Sequence, residues 1–217
     1  MGILEAITEL LFPTKCVFCR KILRHGTTGA CPDCRDRLTK NDRVRSGTYF
    51  TKCYVPMSYE GQVREAIIRF KFQDQPGYAT EFGKILARCI RDNLAGSYDL
   101  ITWIPVSRER LKKRGYDQAM LLAMAAALEL EDVAVETLKK RANNPAQSTL
   151  TDASQRITNV QGAYEVPEPE LVEGKRILLI DDIITTGATL DEASRTLLKA
   201  GAEEVFAAAL AEPVEEH

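Results

Sequence analysis

Histidine is almost missing from this 217-residue chain: only His25 and His217 are present, the first between two cysteine pairs and the second at the last position. A histidine-based general acid or base therefore has no obvious seat. No run of 18 apolar residues occurs, which argues against a membrane-spanning helix. The amino-terminal stretch MGILEAITELLFPTKC lacks the basic start and small-residue cleavage site of a secretory leader, so a cytoplasmic protein is expected. Neither GxGxxG nor GxxxxGK[ST] appears, so hydride transfer on a dinucleotide and P-loop nucleotide hydrolysis lose support. Proline (9) and glycine (13) are too sparse for a fibrous or low-complexity chain. At about 1.4 times a ~150-residue domain, the length allows one principal domain with a small attachment.

Charge is distributed unevenly. Residues 1–50 carry a net +4, residues 51–156 a net +3 and residues 157–217 a net −9. Coating of long nucleic acid by the whole surface is thereby disfavoured, while a local footprint on the first two thirds stays open.

Four of the six cysteines form two tight pairs, Cys16-Val-Phe-Cys19 and Cys31-Pro-Asp-Cys34, separated by eleven residues. Two such knuckles can turn four thiolates onto one ion at ~2.3 Å, the tetrahedral sulfur set that Zn2+ prefers. With every position taken by protein, the predicted role of the zinc is structural; a redox dithiol is the competing reading. Cys53 and Cys89 are expected to be small buried hydrophobes. Arg20, Lys21, Arg24, Arg35, Arg37, Lys40, Arg43 and Arg45 surround the knuckles, with Tyr49, Phe50 and Tyr54 just beyond. They form either a single-stranded nucleic-acid footprint or a basic face docked on the neighbouring domain.

Residues 48–59 are rich in β-formers and predict a strand or hairpin arm, and residues 61–72 and 79–91 predict two amphipathic helices. Together these are expected to make a cap over the main domain. From residue 99 the pattern alternates: a strand in DLITWIPV, a helix over 116–130, a strand in AVETLKK, a strand in KRILLIDD, a helix in TLDEASRTLLKA and a strand in EVFAAAL. Such alternation with apolar strand centres predicts an α/β fold whose parallel sheet is covered on both faces. The expected division is a zinc-binding module at 1–47, a hood with connecting helices at 48–98 and the core at 99–217. Trp103, inside an apolar strand, is expected to pack in the core.

Ligands of parallel sheets sit beyond the carboxyl ends of the strands. There the strand 177–180 delivers Asp181 and Asp182, followed by Thr185, Thr186, Gly187, Ala188 and Thr189 at the start of a helix. Unpaired amides and hydroxyls at such a start can wrap a phosphate monoester, and Gly187 permits close approach of the backbone. The acids would repel that phosphate, so their natural partners are hydroxyls of the sugar that carries it. A ribose 5-phosphate fits both halves.

The run ILLIDDIITTGATL resembles the phosphoribosyl-pyrophosphate motif of type I phosphoribosyltransferases. The chain as a whole resembles the ComF family, competence-associated proteins that join a cysteine-rich zinc module to such a domain. The supporting segments are YEGQVREAIIRFKF, PVSRERLKKRGYDQA and NVQGAY, with Gln147, Leu150, Arg156 and Asn159. The resemblance implies a type I phosphoribosyltransferase-like sheet flanked by helices, phosphoribosyl pyrophosphate held with Mg2+, and an association with DNA uptake. It implies further that Asp181 and Asp182 contact ribose, that residues 185–189 contact the 5′-phosphate, and that Pro105, Val106, Ser107 and Arg108 contact pyrophosphate.

Transfer from phosphoribosyl pyrophosphate expels a highly charged diphosphate and needs cations and a cover against water. Arg108, Arg110, Lys112, Lys113 and Arg114 form one basic cluster and Lys139, Lys140 and Arg141 a second. Arg156, in a polar segment over 141–159 that forms either a lid or a fixed loop, is a candidate diphosphate contact. Glu109 and Asp117 are further candidate polar contacts, and no general base stands out. A phosphoribosyltransferase is one outcome. The alternative is a nonenzymatic single-stranded-DNA or competence-complex module that retains a ribose-phosphate sensor site.

Overall fold

The computed structural model describes residues 13–24, 26–38, 43–141 and 162–214. Its centre is a six-stranded sheet organised by the most apolar segment of the chain. After the short helix α1 (Pro32–Leu38), strand β1 (Arg43–Arg45) runs antiparallel to β2 (Cys53–Val55). Strands β2 and β3 (Met57–Ser58) both lie parallel to β8 (Glu204–Glu212). Pro56 stands between them and has no N–H to donate, which accounts for the interruption. Strand β8 pairs in parallel with β7 (Arg176–Ile183), and β7 with β4 (Leu100–Trp103), in registers such as Ile180↔Ala208 and Trp103↔Ile180.

Alternation along β7 sorts the core into two layers. Leu178 and Ile180 pack with helices α2 (Gly61–Phe72), α3 (Tyr78–Leu94) and α5 (Gln118–Glu129), whereas Ile177 and Leu179 pack with α6 (Ala188–Lys199). All four are fully buried, as continuous apolar strands between helix layers require. Trp103, Cys53 and Cys89 are buried as expected.

Two sequence expectations are corrected. Strands β2 and β3 belong to the main sheet, not to a cap, because β8 would otherwise present an unpaired edge. The segment AVETLKK adds no full strand to that sheet. Ala134 makes an isolated parallel bridge to Ile101, and β5 (Lys139–Lys140) turns away to pair with β6 (Tyr164–Glu165) in a separate antiparallel ribbon. With Glu136, Lys139 and Lys140 among its seven residues, the segment is too charged to be a central strand buried on both faces.

Helices α3 and α5 approach closely at Gly83. A Cβ there would lie 2.4 Å from the Ala125 Cβ and 2.8 Å from the Ala125 carbonyl carbon, so the helices must separate to admit it. Gly83→Ala is expected to lower unfolding free energy by about 2 kcal/mol, measured by denaturant titration, although alanine is the better helix former.

Candidate functional site

The carboxyl end of β7 opens into a cavity of about 380 Å³. Asp181 and Asp182 leave the strand into it. Thr185 and Thr189 line the adjacent wall, Pro105 and Val106 lie across the opening after β4, and Tyr164 and Lys140 close the side formed by the β5–β6 ribbon. Gly187 caps α6 at φ 82°, a left-handed backbone that favours glycine, and the Ala188 N–H donates to the Thr186 hydroxyl at 3.4 Å. The Thr189 and Leu190 amides that follow lie in the first turn, where a helix has no carbonyl of its own to offer them.

Two devices hold the walls. Asp117, the N-cap of α5, accepts the Val106 N–H at 2.9 Å and the Met120 N–H at 3.1 Å, tying the loop at 105–107 to a helix start. On the other side, Arg45 of β1 donates to the Thr185 carbonyl at 2.9 Å and lies 3.4 Å from the buried Glu212 carboxylate. The turn after Asp182 is therefore braced from the far edge of the sheet.

The paired acids differ in environment. Burial at the end of β7, reinforced by the Asp182 charge, pushes the Asp181 carboxyl up to about 8; the Asp182 N–H, donated at 2.7 Å, and Lys71 work against that shift. Asp182 receives Lys71 Nζ at 2.8 Å, and each side chain of this pair is about 15% exposed. Lys71 comes from the last turn of α2, so the helix before the core supplies a cation to the acid pair. Arg110, Arg114 and Lys140 also border the cavity. Burial, and then the Arg110 charge, lowers the Lys140 ammonium pKa. The Tyr164 hydroxyl is buried without a hydrogen-bond partner among the described residues, and burial raises its pKa.

The four paired cysteines converge beside α2, where Cys34 Sγ lies 3.8 Å from Gln62 Oε1 and Arg69 donates to the Val17 and Phe18 carbonyls. Their sulfurs all lie within 4.8 Å of one another, and Cys19 and Cys31 Sγ are 3.8 Å apart. That is far beyond a disulfide and equals the edge, about 3.8 Å, of a tetrahedron with ~2.3 Å metal–sulfur bonds. Burial opposes ionisation of Cys16, but amides of Cys31, Cys19 and Phe18 directed at its sulfur bring the thiol down to about 7. An all-sulfur, amide-supported set of this size fits a tetrahedral thiophilic ion.

A family model described as the phosphoribosyl transferase domain matches residues 112–216, which include the acid pair and the turn after it. The chain is similar to Competence protein F of Haemophilus influenzae, at 26% identity over 89% of this chain and 95% of that protein. It is similar to Competence protein ComFC of Bacillus subtilis at 29% identity, covering 86% and 78%. The chain belongs to the ComF family. It is also similar to the adenine phosphoribosyltransferase of Clavibacter sepedonicus, at 31% identity over 77% of this chain and 84% of that enzyme.

In this ComF-family protein, Asp181, Asp182, Thr185, Thr189, Pro105 and Val106 border one cavity. Thr186 and Gly187 form the turn that leads into α6, Ala188 is the first residue of that helix, and Ser107 borders a neighbouring cavity. Arg108 is exposed at the first residue of α4 (Arg108–Arg114) and lines neither. Arg156 and residues 142–159 of the expected lid lie outside the described residues, as do His25, Lys40 and His217. Of the basic residues around the knuckles, Arg20 reaches the Tyr78 hydroxyl, Arg35 pairs with buried Glu81, and Arg37 reaches Gln62. Arg43 and Arg45 meet Glu212. Phe50 is buried in the core and offers no face for stacking. The docked-face reading of these arginines matches these contacts.

Lys71 and Tyr164 were not legible as site residues by motif. Lys71 had one signal, since it lies four residues after Ile67 on the buried side of α2, where a lysine needs a partner. Lys71→Met is expected to lower unfolding free energy by about 2 kcal/mol near neutral pH, because it leaves the acid pair without its nearest cation. A double-mutant cycle with Asp182→Asn should return a coupling of at least about 1 kcal/mol.

Proposed function

We propose that this chain binds phosphoribosyl pyrophosphate with Mg2+ in the cavity beyond β7 and holds one structural zinc ion in its four-cysteine module. The observation that carries the reading is the convergence of the acid pair and the threonine turn of α6 on one cavity that Arg110, Arg114 and Lys140 also line. Asp181 and Asp182 accept ribose hydroxyls, the amides and hydroxyls at 185–189 take the 5′-phosphate, and the loop at 105–108 with Arg110 takes the diphosphate. Arg156 joins the diphosphate contacts in this reading. Mg2+, when bound with the ligand, neutralises charge on the diphosphate oxygens.

The names of the relatives, competence proteins and a phosphoribosyltransferase, support a role in competence and phosphoribosyl transfer; a cytoplasmic place in DNA uptake belongs to the same proposal. In transfer, the acid pair would orient the ribose while the basic residues held the departing diphosphate. Calorimetric titration of the full chain with phosphoribosyl pyrophosphate and Mg2+ tests the binding. Saturable 1:1 binding is expected, and its absence would reject the reading. Diphosphate release that depends on an added purine, pyrimidine or amine separates transfer from binding alone.

A further inference from the structure

A second cavity of about 390 Å³ adjoins the first, and Arg110, Arg114 and Lys140 border both. Its remaining lining comes from Phe72, Ser107, Glu109 and Lys113. Four cations thus face one carboxylate. None of the four is ion-paired among the described residues, and Arg114 spends one N–H on Gln118 Oε1 at 2.6 Å.

The apolar component is equally specific. Phe72, the last residue of α2, is 60% exposed although the helix buries Val63, Ile67 and Phe70. The Arg114 guanidinium lies 4.7 Å from its ring centroid. A ring left open at the rim of a cationic hollow offers a flat partner a surface to stack on, with the guanidinium fixing the orientation of that ring.

The geometry points to a binding site for a planar aromatic molecule bearing two or more acid groups, its ring on Phe72 and its acids on Arg110, Lys113 and Lys140. A volume near 390 Å³ suits one substituted ring system. The charge balance argues the same way. Burial lowers the pKa of both Arg114 and Lys140; at Arg114 attraction to Asp182 outweighs repulsion from Arg110, whereas at Lys140 repulsion from Arg110 outweighs attraction to Asp181. A polyanion relieves that repulsion; a neutral ring or a single carboxylate does so poorly. Through the shared cations, the occupant would lie beside whatever fills the first cavity, but this inference does not require the first cavity to bind a sugar phosphate.

The test is titration of the full chain with three probes. Benzene-1,3,5-tricarboxylate is flat and triply acidic, cyclohexane-1,3,5-tricarboxylate keeps the charge without the flat ring, and benzamide keeps the ring without the charge. The aromatic tricarboxylate should bind saturably and roughly threefold to tenfold more tightly than the saturated one, as expected for a stacking contact. Benzamide should show no saturable binding. Phe72→Ala should bring the two tricarboxylates to equal affinity, and Lys113→Ala should weaken both by a common factor. Both positions are exposed, and circular dichroism checks that the variants fold. Equal affinities in the unaltered chain, binding of benzamide comparable to the tricarboxylate, or indifference to either substitution would overturn the proposal. Failure of phosphoribosyl pyrophosphate to bind would leave these outcomes unaffected.

Discussion

Cys34→Ser is expected to release the metal from the purified protein and to lower its unfolding free energy by about 3 kcal/mol or more, read by elemental mass spectrometry and thermal unfolding. Cys34 is only 2% exposed, and the cluster around it contributes Cys16, Val17, Phe18 and Ala30 to the main core. A segment this short buries too little surface to fold alone, so an ion held by the four thiolates would supply much of the ordering. The consequences extend beyond the knuckles. Phe18 packs against Phe82 with ring centroids 5.9 Å apart, and Arg69 of α2 donates to the Val17 and Phe18 carbonyls, both at 2.9 Å. Two residues later on the same helix, Lys71 holds Asp182. Loss of the ion should therefore loosen the acid pair as well as the module. Cys53→Ala is the control: Cys53 is buried in β2, away from the cluster, and its replacement should cost only about 1 kcal/mol and leave the metal in place. Full metal content and unchanged stability in Cys34→Ser would remove the ion from the account.

The sequence exposed the parts whose chemistry is local. The helix expected at 61–72 spans those residues, and the strand of KRILLIDD with the helix after it is in place, because apolar runs and breakers define these elements without help from elsewhere. The cysteine pairs were legible for the same reason, since their spacing is itself the geometry. What stayed hidden depends on contacts between distant segments. Nothing in the local pattern shows that Arg45 reaches across to the carbonyl of Thr185, or that Lys71 meets Asp182 111 residues later. The placement of β2 and β3 failed for a related reason: three- and two-residue strands interrupted by proline look like an arm until β8 supplies their partners. The basic arginines around the knuckles give no local sign of whether they face solvent or a docked surface, and Glu81 and Glu212 decide that.

The two neighbouring acids should respond oppositely in stability when each is replaced by asparagine, although above about pH 8, where Asp181 is ionised, both replacements should weaken phosphoribosyl pyrophosphate about a hundredfold through loss of a charge-assisted hydrogen bond to the ribose. Asp181→Asn should stabilise the ligand-free protein above neutral pH. Burial pushes its folded-state carboxyl up to about 8 from the ordinary 3.8, so between those limits the folded chain retains a proton that the unfolded chain has lost. Stability from this group is therefore full below about pH 4 and is lost as the pH rises through about 8. Asparagine carries no such proton, and its side-chain oxygen can still accept the Asp182 N–H. Asp182→Asn should instead destabilise, because it leaves Lys71, only 15% exposed, without its carboxylate. Thermal unfolding from pH 5 to 9, paired with calorimetric titration, reads both effects. If Asp181→Asn kept the pH slope of the parent, the acid would not be a strained group held for a ligand; if it kept the affinity, the ribose would have to be gripped elsewhere. A variant that gains stability while losing its ligand is what a buried charge retained for binding should produce.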